Sequence, residues 1–297
     1  MQRDGPILVV LAAGLGHRFG GDKQVTGFGP GGEWLIEYAI HDAFAAGFAR
    51  IVIVTRSALR DRLADRLLPL AGRRGEILFI DQAVSRVPAG CVPPVGRHKP
   101  LGTGHALWCS RDALDGPFAV INADDCYGAG AFALLAAHFR HGHGPAMIGY
   151  RLGRTLSAGG GVNRGLCTLD RGELAGVVEY TDIRIDASGL RGLDAQRTRW
   201  PLAADAIVSL NCWGLLPDLL PSLEAGLRDF LAGAGADGEY FLPAAIDRYL
   251  ATSGQRLRVL DSRDDWLGVT YPADVDAVVA RLAALHAAGR YPTPLWS

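Results

Sequence analysis

The chain has 297 residues, of which 49% are hydrophobic, and this composition can bury a substantial core. Thirty basic and thirty-one acidic residues give a formal net charge of −1, which argues against a broad basic surface that binds nucleic acid. No apolar run reaches the length of a membrane span, so we expect neither a membrane-spanning segment nor a signal peptide.

The cysteines are scattered along the chain and form no C-x-x-C pair. They are Cys91, Cys109, Cys126, Cys167 and Cys212. An odd number without a pairing pattern is typical of free thiols in a reducing compartment. We therefore predict a cytoplasmic protein.

Residues 7–11 form an aliphatic run typical of a central parallel strand, and a loop rich in glycine and alanine follows it. The backbone of such a loop can approach a ligand closely and expose its N–H groups. Arg18 and Lys23 add a guanidinium fork and a mobile positive charge, both suited to phosphate oxygens. The loop therefore predicts a cradle for a triphosphate.

Other interpretations of this loop fit less well. The dinucleotide fingerprint G-x-G-x-x-G would need glycine where Phe19 stands. A P-loop would need lysine directly after its last glycine, whereas Asp22 intervenes, and Gln24 stands where serine or threonine is required. A glycine-rich turn that binds nothing is a further alternative, but it gives no reason for two cations so close together.

Strand and helix patterns alternate after the loop, which is typical of βαβ units and a parallel sheet. The spacing predicts helices over 33–47, 58–70, 103–114, 128–140, 216–231, 240–251 and from 272 onward. It predicts further strands over 51–55, 76–81, 118–121, 146–150, 206–213 and 256–260. A proline-containing loop is expected over 83–101. Ligands of such sheets bind at the carboxyl ends of the strands.

Asp124 and Asp125 stand at the carboxyl end of the apolar strand predicted over 118–121. Carboxylates in such a place are costly unless a cation is present, and Mg²⁺ bridging a carboxylate to phosphate oxygens would supply it. Adjacent strand residues face opposite ways, so we expect only one of the two to bind the metal. An ordinary Asp-Asp turn is the alternative.

Residues 156–197 are irregular and strand-like, with a hairpin-turn signal at 170–172, and they predict a β-rich lobe. Residues 206–213 alternate, which places Ile207, Ser209 and Asn211 on one face of a strand. The tail over 289–296 is too apolar to extend into water. We expect it either to pack on the body or to supply a dimer contact in a homo-oligomer.

The segment Leu11-Ala12-Ala13-Gly14-x-Gly16-x-Arg18-x-Gly20-Gly21-x-Lys23-Gln24 resembles the signature loop of the nucleotidyltransferases, the pyrophosphorylases that make nucleotide sugars. Segments at 11–24, 101–106, 121–125 and 207–214 match in the family's order. The resemblance implies a three-layer α/β, Rossmann-like (GT-A-like) fold with a mostly parallel sheet and an inserted β-rich substrate lobe. It implies one domain, with a nucleotide-binding half over 1–150, a lobe and return strand over 151–215, and C-terminal elements over 216–297.

The resemblance also implies roles for residues that contact the nucleotide. Arg18 and the loop backbone would hold the β- and γ-phosphates, and Lys23 would face the α-phosphate. The nucleotide-binding residues would be Leu11, Ala12, Ala13, Gly14, Gly16, Gly102 and Thr103, the last two at the nucleobase. Some uridylyltransferases have a glutamine shortly before this second segment, where Arg97, His98 and Lys99 stand here, so the base stays open and UTP is favoured only slightly.

Matching the family's pattern places the Mg²⁺ ligand on Asp124, with Asp125 on the substrate. Asn211 would be a second metal ligand, at a position where many members have aspartate. Gly165 and Glu179 would contact the sugar, since a carboxylate can accept hydrogen bonds from neighbouring hydroxyls. A solvated glutamate on a hairpin is the alternative for Glu179.

We therefore expect Mg²⁺-dependent transfer of a nucleotidyl group from an NTP to a sugar 1-phosphate, with release of pyrophosphate. One alternative is transfer to another phosphorylated acceptor, such as a phospho-alcohol or a cofactor precursor. Another is a nucleotide-sugar binding protein without turnover. A nicotinamide-dependent oxidoreductase fits less well, because the second predicted strand ends in Thr55-Arg56 without an acidic partner for the ribose.

Overall fold

The computed structural model describes residues 5–14, 25–72, 74–157, 159–233 and 238–296. The strands are β1 Ile7–Leu11, β2 Arg50–Thr55, β3 Glu76–Asp81, β4 Phe118–Asn122, β5 Asp125–Cys126, β6 Ala146–Arg151, β7 Val162–Asp170, β8 Glu173–Asp186, β9 Gly189–Leu193, β10 Arg199–Pro201, β11 Ile207–Leu215, β12 Arg258–Asp261 and β13 Leu267–Gly268. The α-helices are α1 Leu35–Ala46, α2 Ser57–Ala71, α3 Thr103–Cys109, α4 Ala129–Arg140, α5 Leu220–Gly233, α6 Leu242–Ser253 and α7 Val275–Ala287.

One large sheet runs in the order β10-β9-β8-β12-β6-β11-β4-β1-β2-β3, and β7 pairs with β8 and β11. Strands β3, β2, β1 and β4 are parallel to one another, as is the pair β12 and β6. The other pairs of this sheet are antiparallel, because β11 returns between β4 and β6 and the lobe is built from hairpins. The whole is a mixed α/β fold. The expectation of a mostly parallel sheet is wrong, because among the described strands parallel pairing is confined to the half that contains β1 and to the pair β12 and β6.

Helices cover both faces of the sheet around β1. Alternating side chains of this strand face opposite ways, so Leu8 packs in a core with Ile36 of α1 and Phe132 of α4. Val9 faces the other core, which contains Leu107 of α3 and further residues of α5 and α6. The observed bounds of β1 agree with the predicted strand, because a run that is apolar on both faces suits a strand buried between two helical layers.

Several local features follow the sequence closely. Gly47 ends α1 with a φ of 96°, in the left-handed region where glycine is favoured. The hairpin between β7 and β8 turns at Arg171 and Gly172, with φ values of 50° and 84°, as a turn of the type preferred in hairpins requires. The predicted helix over 103–114 is shorter than expected, because α3 ends at Cys109 and a 3₁₀ turn continues at Arg111–Ala113.

The C-terminal tail packs on the body of the protein. Tyr291 and Leu295 are buried, and the Tyr291 hydroxyl donates a hydrogen bond to Asp42 Oδ2 at 2.8 Å. In α7, Val278 and Leu282 are buried as the spacing predicted, whereas Val279 points outward.

No helix within the described ranges combines the length and the apolar character needed to cross a lipid bilayer.

Candidate functional site

The carboxyl ends of β1, β2 and β4 meet at one edge of the sheet. Leu11 is paired with Val54 on one side and with Asn122 on the other. The pairing continues past the strands, since Ala12 N donates to Val54 O at 2.7 Å and Ala123 N donates to Leu11 O at 3.1 Å. The start of the glycine-rich loop and the aspartate pair therefore share the edge at which parallel sheets bind ligands.

The part of the loop that the structure describes is held firmly against the sheet. Ala12 and Ala13 are buried, and the hydroxyl of Thr55 lies 3.3 Å from Ala12 O, to which it donates. The described residues of the predicted nucleotide-binding loop are Leu11, Ala12, Ala13 and Gly14. Gly16, Arg18 and Lys23 lie outside the described residues, and their roles stay predictions.

Asp125 is buried and fixed by its neighbours. Its Oδ2 accepts a hydrogen bond from Asn122 Nδ2 at 3.0 Å and lies 3.2 Å from the Tyr127 hydroxyl, which also reaches Leu210 O at 2.9 Å. Burial, and then the charge of Asp125, raise the pKa of Tyr127 well above its usual range, so the hydroxyl keeps its proton. Asp124 is half-buried on the turn between β4 and β5.

Asn211 lies at a bulge in β11. The register between β11 and β6 shifts between Ser209 and Trp213, and Asn211 has a φ of 58°. Asparagine tolerates this left-handed conformation better than most residues, and such positions cluster at functional sites. The simple alternation expected over 206–213 is interrupted here. Leu210, the preceding residue, contacts the tyrosine that holds Asp125.

A metal at this edge would depend on few protein ligands. Among the described residues, no three histidine, cysteine, aspartate or glutamate side chains are grouped so that they could hold an ion. Mg²⁺ in nucleotide sites commonly uses one or two carboxylates, with phosphate oxygens and water completing the shell. Asp124 and the amide oxygen of Asn211 are hard oxygen donors that fit this requirement.

Gly102 and Thr103, predicted at the nucleobase, join the starts of α3 and α6. Gly102 has a φ of 103°, and a Cβ there would lie 2.5 Å from the carbonyl oxygen of Tyr240. Gly104 N donates to that same oxygen at 2.8 Å, and Thr103 Oγ1 accepts a hydrogen bond from Leu242 N at 2.9 Å. Glycine is therefore required at 102 by the neighbouring backbone, and contact of this segment with a base stays a prediction.

The sequence reasoning missed Gln82, which follows β3 and is buried beside Gly102. Its Nε2 donates to Gly102 O at 2.8 Å and lies 3.2 Å from Nδ1 of His105. His105 Nε2 is 2.6 Å from Arg86 O, and burial lowers the pKa of this histidine. A neutral ring that donates from Nε2 and accepts at Nδ1 satisfies all these contacts. The only sequence signal for Gln82 was its place, as a polar residue directly after an apolar strand.

The side chain of Arg97 is buried and donates hydrogen bonds to backbone carbonyl oxygens. Its guanidinium donates to the carbonyl oxygens of Lys99 at 2.8 Å, Pro100 at 2.5 Å and Gly238 at 2.5 Å. These hydrogen bonds connect the end of the 83–101 loop to the segment before α6. The carbonyl oxygen of Gly102 accepts a hydrogen bond from Gln82, directly after β3.

Gly165 and Glu179, predicted to contact the sugar, are direct partners across β7 and β8. A Cβ at Gly165 would lie 3.5 Å from Glu179 Oε2 and 2.7 Å from a methyl group of Val177. The carboxylate therefore lies over a residue without a side chain. Loss of surrounding water raises the pKa of Glu179, and the charge of Arg164 opposes that rise.

Arg164 and Trp266 were also missed by the sequence reasoning. The Arg164 guanidinium lies over the Trp266 ring, with Cζ 4.8 Å from the ring centroid. Trp266 directly precedes β13, which pairs with β5 so that Gly268 is opposite Asp125. No local pattern links an arginine in a lobe strand to a tryptophan so far along the chain.

A cavity of about 760 Å³ lies at the opposite edge of the sheet and includes Pro6, Ala49 and Arg50 in its lining. Arg50 pairs with Glu76 at 3.1 Å and with Asp115 at 2.8 Å, so its charge is already matched. This is the edge of the amino ends of the strands, away from the end at which parallel sheets bind ligands. We therefore assign the candidate site to the carboxyl edge.

Comparison with known proteins identifies relatives of this chain. Residues 8–92 match the family described as the MobA-like NTP transferase domain. A UTP–glucose-1-phosphate uridylyltransferase from Bacillus subtilis (strain 168) is 31% identical over 130 residues, which cover 39% of this chain and 43% of that enzyme. The match thus spans less than half the length of that relative.

Solved structures extend the similarity of fold to nearly the whole chain. The inositol-1-phosphate CTP transferase from T. maritima has a TM-score of 0.60 at 14% identity, over 95% of this chain and 98% of that one. A UDP-glucose pyrophosphorylase complexed with UDP-glucose has a TM-score of 0.60 at 17% identity, over 93% of this chain and 97% of that one. The match of residues 8–92 and the B. subtilis relative confirm the resemblance seen in the signature loop. The solved structures show a similar fold over nearly the whole chain.

Proposed function

We propose that the chain is a Mg²⁺-dependent enzyme that transfers a nucleotidyl group from an NTP to a sugar 1-phosphate and releases pyrophosphate. The observation that carries this proposal is the shared sheet edge, where Leu11, the residue before the loop, pairs with Asn122 and accepts a hydrogen bond from Ala123 N, next to the aspartate pair. A triphosphate leaving that loop would meet carboxylates that require a cation, which is the arrangement that metal-assisted nucleotidyl transfer needs.

The reaction is an in-line attack by a phosphate oxygen of the acceptor on the α-phosphorus of the NTP. The bond from that oxygen to phosphorus forms as the bond to the pyrophosphate oxygen breaks. Such chemistry requires alignment and neutralisation of charge rather than a protein nucleophile. Arg18 would hold the leaving pyrophosphate, and Lys23 would neutralise charge at the α-phosphate. Mg²⁺, held by Asp124 with Asn211, would supply further positive charge to the phosphate oxygens.

For the acceptor we propose a chemical class, and for the base a first candidate. The B. subtilis relative is named for UTP and glucose 1-phosphate, whereas the T. maritima structure is named for CTP and inositol 1-phosphate. Both acceptors are phosphorylated polyols, which suits a carboxylate such as Glu179 that can accept hydrogen bonds from hydroxyls. We propose this acceptor class, with UTP as the first triphosphate to test. All five cysteines are free, and a reducing cytoplasm is the compartment that we propose.

The test is release of pyrophosphate by the whole chain with Mg²⁺, each NTP separately and a panel of sugar 1-phosphates and other phosphorylated alcohols. We expect release that depends on both substrates and is lost in Lys23→Ala, with Arg140→Ala on the far side of the sheet as a matched control. A rise in melting temperature with nucleotide but no pyrophosphate from any pair would instead indicate a binding protein. Full turnover by a folded Lys23→Ala variant would contradict the assigned role of Lys23.

A further inference from the structure

Arg164 of β7 lies within electrostatic reach of both Asp125 and Glu179. Its guanidinium lies over Trp266, whose neighbouring strand β13 pairs with Asp125 of β5. The next residue of β7 after Arg164 pairs directly with Glu179. An acceptor whose hydroxyls reach Glu179 and whose phosphate approaches the aspartate pair would pass this guanidinium.

The guanidinium is fixed by neutral oxygens. Its Nε donates to Thr155 Oγ1 at 3.2 Å, Nη2 donates to Thr155 O at 2.5 Å and Nη1 donates to Asn163 O at 2.8 Å. Arginine has five N–H donors, so these contacts leave one donor on each terminal nitrogen among the interactions of the described residues. Two parallel N–H groups on one rigid plane match two oxygens of a phosphate.

The charge of Arg164 is influenced by carboxylates that do not pair with it directly. Asp125, Glu179 and Asp274 favour its charged form, against the effect of burial, which lowers its pKa. Within the described ranges, no carboxylate oxygen lies at ion-pair distance from it, in contrast to Arg199, which pairs with Asp182 at 2.5 Å. An arginine keeps its charge under these conditions. Among the described residues, this cation therefore has no direct ion-pair partner.

We propose that Arg164 binds the phosphate of the acceptor and so orients the acceptor for attack; this inference rests on the proposed function. Stacking on Trp266 and the contacts with Thr155 hold the fork in one orientation, which reduces the entropy lost on binding. Glu179 then receives the hydroxyl end and Arg164 the phosphate end. The two residues together select phosphorylated polyols over the free polyol.

The test compares Arg164→Met and Arg164→Lys with Arg111→Met, a matched control that removes a guanidinium stacked at 4.0 Å on Trp108. For Arg164→Met we expect the KM for the acceptor to rise about 10- to 100-fold, the range for a lost hydrogen bond to a charged group. Arg164→Lys keeps the charge without the fork, so its rise should be smaller. The KM for the NTP should stay within about twofold in all variants.

Acceptor KM values within about twofold of wild type in both Arg164 variants would overturn the inference and leave the proposed function intact. Equal rises for acceptor and NTP would also overturn it, since that pattern indicates a structural role. If the wild type releases no pyrophosphate with any acceptor, the proposed function fails instead. Calorimetric titration with a sugar 1-phosphate then decides the inference: binding must be lost in Arg164→Met and absent for the unphosphorylated sugar, and any other result contradicts it.

Discussion

The hydroxyl oxygen of Thr103 accepts a hydrogen bond from the backbone N–H of Leu242 at 2.9 Å, although 139 positions separate them in the chain. Leu242 is the first residue of α6, and the residue before it, Phe241, has no side-chain oxygen with which to cap the helix. Thr103 supplies that cap from the start of α3. The segment predicted at the nucleobase thus also stabilises a distant helix.

Replacing Thr103 by valine should lower the free energy of unfolding by about 1 kcal/mol, the usual cost of losing a helix cap. Thr103→Ser keeps the hydroxyl and should retain most of the stability. Urea denaturation of the three proteins measures the difference. A loss of stability in Thr103→Ser with none in Thr103→Val would show that the methyl group, and not the cap, is what matters.

The two neighbouring aspartates should respond differently to substitution. Asp124→Asn should reduce pyrophosphate release by about 100-fold or more, as removal of one charge-stabilising group typically does, with little change in stability. Asp125→Ala should also lower the free energy of unfolding, by about 1 to 3 kcal/mol, because Asn122 Nδ2 and the Tyr127 hydroxyl lose a buried acceptor.

Turnover as a function of Mg²⁺ concentration, together with urea denaturation, separates these two effects. Asn122, the last residue of β4, carries a neutral amide and cannot replace the charge that either variant loses. Normal turnover in Asp124→Asn would contradict the proposed metal ligand. Unchanged stability in Asp125→Ala would contradict the fixed position described for that carboxylate.

Glu179 should make acceptor binding depend on pH. Its folded-state pKa is raised by loss of water, and the proposed contact with hydroxyls needs the ionised form. kcat/KM for the acceptor should therefore fall on acidification at a pH above the ordinary glutamate value of about 4.3. Arg164→Met should move that fall to higher pH, because the arginine lowers the pKa. Glu179→Gln should abolish the step, and a step unchanged in that variant would assign it to another group.

The buried pair of Asp42 and Tyr291 should make stability depend on pH. Burial raises the pKa of Asp42, so its protonated form contributes stability that is present below the ordinary aspartate value of about 4 and lost as pH rises through the raised pKa. Asp42→Asn should therefore become more stable relative to wild type as pH rises toward neutrality. Denaturation curves at several pH values measure this difference.

Tyr291→Phe serves as the companion variant. The hydrogen bond from Tyr291 lowers the pKa of Asp42, so its removal should shift the loss of stability to higher pH. It should also cost about 1 to 3 kcal/mol, because a buried acceptor loses a partner. A difference between Asp42→Asn and wild type that does not vary with pH would contradict this account.

Local pattern predicted most of the elements and the edge at which the candidate site lies. The apolar runs at Ile7–Leu11 and Phe118–Asn122 specify strands by composition, and the residues after them are small or acidic. Positive φ values at Arg171 and Gly172 follow from a turn signal in the same short segment. These features depend on neighbours in the chain, so periodicity and turn chemistry are enough to find them.

The sequence alone determined that a strand, a glycine-rich loop and an aspartate pair belong to one nucleotidyltransferase-like chain. Only the tertiary structure decided that Gln82 contacts Gly102, that Thr103 caps α6 and that Arg164 lies on Trp266. Each of these contacts joins residues far apart in the chain, and neither helix nor strand periodicity relates their positions. Their positions follow from strand register and from the need to pair buried polar groups, which are settled only when the whole core packs.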